Sequence, residues 1–391
     1  MNKNLGLLAL CQGLFMTNNV TFVAINGLVG LALAPLGWMA TLPVMGYVVG
    51  GALSTGVVAR TQQRFGRKGS FQAGLGIALL SALLCAYAAF SRNFWLLCFA
   101  TVVAGYYNAN ANLYRFAAAE LAGSTAPEKA VSWVMAGGLL GAVVGPNLAA
   151  HTRTLLDVPF AGAYIALAGV ALLAMLVLSR IDFPAREKKH AGHGGRPLVQ
   201  IMKQPIFIVS AAAGALGYGV MNLLMAGTPI AMQQCALPFS DTALVLQWHV
   251  IGMFAPGFFT GSLIKRFGAL PMLGIGVALN LACVAVALSG VELHQFLVAL
   301  FLLGLGWNFL FTGSTALSLS AYSPEERDRA QGALNFFVFA TLAVSSFSSG
   351  VLVTSKGWTL LNYGSLLPLS LTGMALIWLA IRLKTARPAI A

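Results

Sequence analysis

The stretch RTQQRFGRKG at residues 60–69, a short basic segment between two long apolar windows, decides the fold. Residues 37–59 precede it and residues 71–90 follow it, and neither window contains an Asp, Glu, Lys or Arg. A helix needs about 20 mostly apolar residues to cross the hydrocarbon core of a bilayer. Each window meets that length, so the sequence predicts two membrane crossings joined by a tight basic turn.

The rest of the chain has the same character. Of its 391 residues, 58% are hydrophobic and only 8% are charged, and the mean hydropathy is +0.82. Soluble domains carry about a quarter charged residues, because polar side chains must cover a wetted surface. This composition excludes a cytosolic enzyme, a secreted disulfide scaffold and a disordered protein. The five cysteines sit singly in apolar runs, which indicates packing residues and predicts no metal site.

Apolar windows of similar length recur along the chain, and none alternates with the period of two of a membrane β-strand. We therefore expect an all-α membrane protein with twelve transmembrane helices. The windows are residues 5–29, 37–59, 71–90, 94–119, 130–151, 159–180, 205–229, 240–262, 268–289, 294–318, 329–353 and 359–381. The 43 glycines are spread through them, as expected where helices pack closely in lipid.

The longest polar stretch divides these windows into six plus six. We expect an N-terminal half at residues 1–180, a cytoplasmic linker at 181–204 and a C-terminal half at 205–391. The RFG triplet of residues 64–66 returns at residues 266–268, after the second window of the second half. Equivalent loops in two halves indicate a duplicated six-helix unit, an architecture of transporters whose substrate site lies between the repeats.

The basic residues indicate the orientation, because cytoplasmic connections are rich in Lys and Arg. With the N-terminus inside, all 23 Lys and Arg except Arg92, Arg153 and Lys356 fall on the cytoplasmic side. The sequence thus predicts a multi-pass protein of the bacterial inner membrane with both termini cytoplasmic. The net charge of +13 then reflects topology and contact with lipid headgroups, and we expect no binding of nucleic acid.

Residues 59–68 resemble the loop motif G-x-L-a-D-R-x-G-R-K of the major facilitator superfamily, with Ala59 at the first Gly and Gln63 at the acid. In the second half, Lys265 occupies the acid position. The fifth window carries GAVVGPNLAA at residues 141–150, which is similar to the antiporter motif G-x-x-x-G-P-x-x-G-G of that family. The resemblance implies two pseudo-symmetric six-helix bundles and a monomeric antiporter or uniporter without enzymatic activity or cofactor.

In that family, these loops help to latch the cytoplasmic side of the protein. The resemblance therefore implies gating roles for matching residues in both halves of the chain. They are Arg64, Gly66, Arg67, Arg266 and Gly268.

Polar side chains at bilayer depth are costly and should face protein or a water-filled cavity. In the superfamily, the first, fourth, seventh and tenth helices line the central cavity, so the resemblance implies solute contacts in those windows. The candidates are Asn18, Asn19, Tyr107, Asn108, Asn112, Arg115, Tyr218, Asn222, Trp307 and Asn308. The competing interpretation is hydrogen bonding between helices, worth about 0.6 kcal/mol for each bond.

The fourth window has the densest set of these candidates. Asn108, Asn112 and Arg115 follow the i, i+4, i+7 spacing of one helix face, which predicts a polar stripe. One interpretation is that Arg115 attracts an anionic group while the asparagines guide it. The other is that Arg115 reaches the membrane interface or pairs with Glu120 or Glu128.

His249 is the candidate for proton coupling, because it lies deep in a window and histidine titrates near neutral pH. All ten carboxylates map to loops or helix ends, whereas proton-coupled carriers of the superfamily commonly use an embedded Asp or Glu. Coupling would therefore use His249 or the charge of the solute, and facilitated diffusion or exchange is equally open. The alternative is a hydrogen-bonded core histidine beside Trp248.

These patterns predict a carrier that moves a small organic solute by alternating access. The tyrosines, tryptophan and asparagines favour a partly aromatic, hydrogen-bonding molecule with an optional negative charge. A vitamin-like compound, a siderophore-like compound and a drug-like efflux substrate all fit, and the direction of transport stays open. The alternatives are a membrane receptor or assembly partner that binds a small ligand without transporting it, and an integral membrane enzyme acting on lipid.

Overall fold

In the computed structural model, the described residues are 3–122, 127–183, 195–323 and 325–385. Every regular element within these ranges is helical, which confirms the all-α class. The α-helices are α1 (Lys3–Leu33), α2 (Leu42–Phe90), α3 (Phe94–Ala111), α4 (Tyr114–Ala122), α5 (Pro127–Ala136), α6 (Gly138–Thr152), α7 (Ala161–Ser179), α8 (Leu198–Met202), α9 (Pro205–Gln234), α10 (Phe239–Phe254), α11 (Gly257–Phe267), α12 (Ala269–Leu288), α13 (Leu293–Ser318) and α14 (Arg327–Thr385). Short 3-10 turns lie at Gly37–Met39 and Leu319–Ala321.

Eight helical segments in these ranges are long and apolar enough to cross a membrane, and nine if the bent pair α10 and α11 counts as one. Two of the segments are much longer than one crossing, since α2 has 49 residues and α14 has 59. A straight helix of the length of α2 would extend about 70 Å, more than twice the hydrocarbon thickness of a bilayer. Both helices are interrupted by glycine.

The interruption of α2 lies in the RFG triplet. Gly66 has φ 71° and ψ −179°, and Gly357 interrupts α14 with φ 67° and ψ −156°. Gly268, in the second RFG triplet, has φ 86° and ψ 163° and separates α11 from α12. Backbone with positive φ and extended ψ is essentially restricted to glycine, so the two RFG loops share a conformation that explains their common glycine.

Bends without a glycine at positive φ occur elsewhere. The axes of α10 and α11 differ by 40°, and Pro256 lies in the junction, where it removes a backbone donor and disturbs the helix. The fourth window is also broken, because α3 ends at Ala111 and α4 begins at Tyr114. This break lies within the predicted polar stripe.

Small residues set the distance between packed helices. A Cβ atom on Gly105 of α3 would collide with the backbone of Gly50 and Gly51 in α2. A Cβ atom on Gly304 of α13 would collide with the backbone carbonyl oxygen of His249 in α10. The helix pairs therefore meet with their backbones in contact, the close packing that small residues give in membranes.

Residues 3–183 and 195–385 pack against each other through α1 with α9, α2 with α14, and α6 with α10. At the end of the bundle that holds the starts of α2 and α10, the hydroxyl of Thr41 donates to the carbonyl oxygen of Ser346 over 2.6 Å. The RFG loops lie at the other end of these crossings. The two parts of the chain are thus joined at the end remote from the RFG loops.

The same end carries a cluster that we call the clasp, formed by Arg153, Phe160 and Phe239. The two phenyl rings meet edge to face with centroids 5.1 Å apart. The Cζ atom of Arg153 lies 5.3 Å from the ring centroid of Phe160 and 5.6 Å from that of Phe239. Both phenylalanines are buried. Since Phe239 begins α10 and the other two residues flank the α6–α7 connection, the clasp ties the two parts of the chain together.

Candidate functional site

A central cavity of about 290 Å³ lies between residues 3–183 and 195–385. Its lining comes mainly from α1, α2, α3 and α4 on one side and from α9, α10, α13 and α14 on the other. The volume is near the lower end of the range of about 300–1,000 Å³ found for ligand pockets. A solute in this cavity would contact both parts of the chain.

One side of the cavity is an aromatic wall built by Trp307, Phe311, Tyr218 and Phe254. Trp307 and Phe311 are four residues apart on α13, and their rings stack with centroids 5.2 Å apart at an angle of 8°. Tyr218 meets both rings edge to face at 5.2 and 5.4 Å. The indole Nε1 of Trp307 is buried without a hydrogen-bond partner in the described structure. The wall therefore offers flat apolar faces and one unused donor.

The predicted polar stripe forms part of the opposite side. Asn108, Asn112 and Arg115 all line the cavity, as the helical spacing predicts. The amide nitrogen of Asn112 donates to the backbone oxygen of Asn108 over 2.9 Å and to its Oδ1 over 3.1 Å. These contacts lie at the end of α3, where the backbone N–H of Asn112 also donates to the carbonyl oxygen of Asn108 over 3.2 Å. The three side chains of the stripe therefore face the same cavity although the helix is interrupted between α3 and α4.

Arg115 is the charged side chain among the described residues that line the cavity. Its Cζ lies 4.9 Å from the ring centroid of Phe116, and its Nε is buried without a hydrogen-bond partner. Glu120 is bound by Arg67, with Nη2 to Oε1 at 2.5 Å and Nε to Oε2 at 3.0 Å. The interpretation that Arg115 pairs with Glu120 is therefore wrong, and the side chain of Glu128 lies outside the described residues.

Two further predicted asparagines reach the cavity. Asn19 of α1 and Asn222 of α9 belong to its lining. The amide nitrogen of Asn222 donates to the hydroxyl oxygens of Ser345 over 2.9 Å and Ser346 over 2.8 Å. Asn222 therefore combines both interpretations considered for it, because it lines the cavity and also ties α9 to α14.

Three other candidates are absent from the cavity lining. Asn18 is buried, and Tyr107 packs edge to face on Phe15 with centroids 5.4 Å apart. The amide of Asn308 donates to the carbonyl oxygen of Met253 over 2.7 Å and accepts from the hydroxyl of Thr260 over 2.7 Å. These contacts hold helices together and leave the amide of Asn308 engaged away from the cavity.

His249 is fully buried between α10 and α13 and does not line the cavity. Its Nδ1 lies 2.7 Å from the carbonyl oxygen of Leu300, while Nε2 has no partner in the described structure. The bond to a carbonyl oxygen requires the hydrogen on Nδ1. The residues by which α10 reaches the cavity are Val250, Met253 and Phe254. A coupling role for His249 stays a prediction.

Two of the predicted gating residues, Arg64 and Arg266, share one arrangement. The Cζ of Arg64 lies 5.3 Å from the ring centroid of the next residue, Phe65, and that of Arg266 lies 5.1 Å from the ring of Phe267. Arg67 donates through Nη1 to the side-chain oxygen of Gln62 over 2.6 Å in addition to its two bonds with Glu120. Arg67 thereby fastens the start of the second arm of α2 to the end of α4.

A second ion pair lies at the loop between α13 and α14. Glu326, whose side chain is 3% exposed, accepts from Nε of Arg196 over 2.9 Å, from Nη2 over 2.8 Å and from the backbone N–H of Arg196 over 2.6 Å. The N–H of Ser323 adds a fourth bond over 3.0 Å. The Arg196 guanidinium and these N–H groups lower the pKa of Glu326 to about 2. The end of the linker is thus fixed to this loop.

Several residues that line the cavity were not predicted from the sequence, among them Tyr47, Phe254, Phe311 and Phe339. Phe311 could have been predicted, because it follows Trp307 by four residues and therefore lies on the same helix face. Tyr47 lies in a window outside the four used for the prediction, and its hydroxyl is buried without a partner in the described structure. Among the described residues, no three His, Cys, Asp or Glu side chains are placed to hold a metal ion.

A bundle of apolar helices that encloses a solute-sized cavity between two parts of the chain is the arrangement of a membrane carrier. The sequence profile of the Major Facilitator Superfamily matches residues 5–255 and 216–390. The chain belongs to the Major Facilitator Superfamily. It is accordingly a multi-pass membrane transporter of a small solute and not an enzyme, as the sequence predicted.

The riboflavin transporter RfnT of Brucella anthropi is 38% identical over 385 residues, which cover 98% of this chain and 96% of that protein. The fold is also that of known transporter structures. The POT family transporter PepTSo matches with a TM-score of 0.73 and 10% identity, covering 98% of each chain. The nucleoside transporter NupG matches with a TM-score of 0.73 and 13% identity, covering 96% of this chain and 98% of the other.

Proposed function

We propose that this protein transports riboflavin, or a flavin very close to it, across the bacterial inner membrane. The observation that carries the proposal is the composition of the cavity, with stacked rings on one side and amides and a guanidinium on the other. The 38% identity with a riboflavin transporter over nearly the whole chain supports the same solute. Among the solutes that the sequence left open, a vitamin-like compound is therefore favoured.

Riboflavin matches the two sides of the cavity chemically. Its isoalloxazine is a flat tricyclic ring, and the faces of Trp307 and Phe311 suit such a ring, because stacking on an aromatic side chain contributes about 1–3 kcal/mol. Its ribityl chain carries hydroxyl groups, and the amides of Asn19, Asn108 and Asn112 both donate and accept hydrogen bonds. We assign the ring to the aromatic wall and the ribityl chain to the asparagines.

The proposed topology has twelve crossings. Gly66 and Gly357 divide α2 and α14 into two crossings each, and the pairs α3 and α4, α5 and α6, and α10 and α11 each form one. With α1, α7, α9, α12 and α13, this gives two six-helix halves at residues 1–180 and 205–391. The equivalent backbone of Gly66 and Gly268 and the equivalent stacking of Arg64 and Arg266 support the repeat.

Transport proceeds, in this proposal, by rocking of the two halves about the cavity in a monomeric protein. The basic residues place the RFG loops and both termini in the cytoplasm, and nothing in this mechanism involves nucleic acid. The clasp and the bond between Thr41 and Ser346 then lie on the outer side. Cavity residues such as Thr55, Arg115 and Asn335 extend toward the RFG end. The described state is therefore inward-facing, and the loops at Gly66 and Gly268 must move when it closes.

The test is flux of radiolabelled riboflavin into liposomes that contain the purified full-length protein. Saturable flux is expected. Trp307→Ala should weaken the apparent affinity for riboflavin by about 5- to 150-fold, the equivalent of one lost stacking contact. Phe258→Ala is the matched control, because that ring is 64% exposed on the outside of the bundle. Binding without flux would indicate the receptor alternative, and the absence of both from folded protein would refute the proposal.

A further inference from the structure

The unpaired donors of the cavity point to the part of the solute that they recognise. Arg115 lines the cavity with its Nε unpartnered, and Glu120, its nearest candidate partner in sequence, is bound by Arg67. The indole nitrogen of Trp307 and the hydroxyl of Tyr47 are also buried without partners and belong to the same lining. Three polar groups able to donate therefore converge on one space.

The Nε of Arg115 is buried without an acceptor, and such a donor is costly because it has lost water and gained nothing in exchange. The described residues that line the cavity include no Asp or Glu, so a bound solute can provide the acceptor that Nε lacks. A guanidinium offers a planar fork of N–H groups, which suits two acceptors side by side better than a single one. The aromatic wall requires in addition that these acceptors belong to a flat molecule.

We propose that Arg115 determines specificity by binding the acceptor edge of a planar ring whose face lies on the wall of Trp307 and Phe311. This inference rests on the proposed function, and for riboflavin the edge is the pyrimidine-dione, where each carbonyl oxygen has a ring nitrogen acceptor beside it. Tyr47 donates to one of the remaining acceptors of the ring, while Trp307 supplies the surface on which the ring lies. Arg115 thereby distinguishes flavins from planar tricycles that lack carbonyl groups.

The experiment is titration of the purified full-length protein in detergent with three probes. Riboflavin carries the dione edge, phenazine is a planar tricycle without it, and flavin mononucleotide adds a phosphate to riboflavin. Arg115→Gln removes the charge, Arg115→Lys keeps it, and Arg180→Gln is the matched control, an exposed arginine outside the cavity. Thermal unfolding of each variant shows whether it is folded.

Arg115→Gln should weaken the binding of riboflavin by about 10- to 100-fold, as expected for a hydrogen bond to a charged group, and leave that of phenazine within about twofold. Arg115→Lys should recover part of the loss, and Arg180→Gln should match the wild type. Equal loss for riboflavin and phenazine, or no loss for riboflavin, overturns the inference while leaving the proposed function intact. A loss confined to flavin mononucleotide assigns Arg115 to a phosphate and overturns it too. A wild-type protein that does not bind riboflavin overturns the proposed function itself.

Discussion

Replacing Phe239 by alanine removes the ring that residues 195–385 contribute to the clasp. Two contacts between the parts of the chain disappear with it, the edge-to-face pair with Phe160 at 5.1 Å and the cation–π contact with Arg153 at 5.6 Å. The remaining contact, between Arg153 and Phe160, lies within one part of the chain. In the proposed topology, the substitution therefore weakens the closed outer side without removing a residue that lines the cavity.

The size of the effect follows from these two contacts. An aromatic pair of this geometry contributes about 0.5–1.5 kcal/mol, and a cation–π contact contributes about 0.5–1 kcal/mol. Their loss amounts to about 1–2.5 kcal/mol and shifts the equilibrium toward the outward-facing state by a factor of about 5 to 70. The shift is this large only if both contacts break completely when the outer side opens.

Accessibility of the cavity from outside measures this shift. Val23, which lines the cavity, is replaced by cysteine, and intact cells are treated with a membrane-impermeant thiol reagent. Labelling of the parent protein without this cysteine is subtracted. Labelling should be faster in the Phe239→Ala background, by up to the factor given above. The matched control Phe258→Ala should label as the parent does. Unchanged labelling with Phe239→Ala would mean that the clasp does not hold the outer side closed.

Three further results are expected. Gly66→Ala should lower the melting temperature in detergent, because an alanine at φ 71° and ψ −179° costs about 1–3 kcal/mol. The control Gly56→Ala should not lower it, because a Cβ atom at Gly56 would meet no other atom within 4 Å. Equal melting temperatures for the two variants would contradict backbone strain at residue 66. The hydrogen bonds of Glu326, whose pKa is lowered to about 2, stabilise the protein fully above the ordinary carboxyl pKa of about 4.3, and this stabilisation is lost as the pH falls toward 2. Glu326→Gln should therefore unfold at a lower temperature than the wild type at pH 7, with a smaller difference at pH 3. A difference that does not change with pH would contradict a stabilising role of the ionised carboxylate. His249→Phe should leave the flux of riboflavin and its dependence on a pH gradient unchanged if the histidine only packs against α13, and loss of that dependence would establish the coupling role.

The sequence alone predicted the class of fold and the positions of two turns. Lipid leaves few alternatives to long apolar helices, and the repeated RFG triplets marked two turns whose glycines share one backbone conformation. The number of helical elements was harder to predict, because breaks such as Asn112–Leu113 depend on packing and not on a distinctive residue. Pro256 was the visible signal for the bend between α10 and α11.

The candidate site was predicted where spacing along one helix was sufficient. Asn108, Asn112 and Arg115 share a face at any rotation of the helix, so they reach the cavity together. Trp307 and Asn308 are adjacent and therefore point about 100° apart, and only Trp307 lines the cavity. The rotation of a helix about its own axis depends on its neighbours, and a single sequence does not contain that information.

The stack of Trp307 on Phe311 is built within a single helix, so it persists when the halves rock. A bound ring would stay in contact with α13 while the two halves rock, whereas its contacts with α3 and α4 would break before release. Recognition of the ring face would then be continuous, whereas recognition through Arg115 would occur only in part of the cycle. The solute would dissociate after its polar contacts with α3 and α4 break, and the aromatic wall would keep its structure for the next solute molecule.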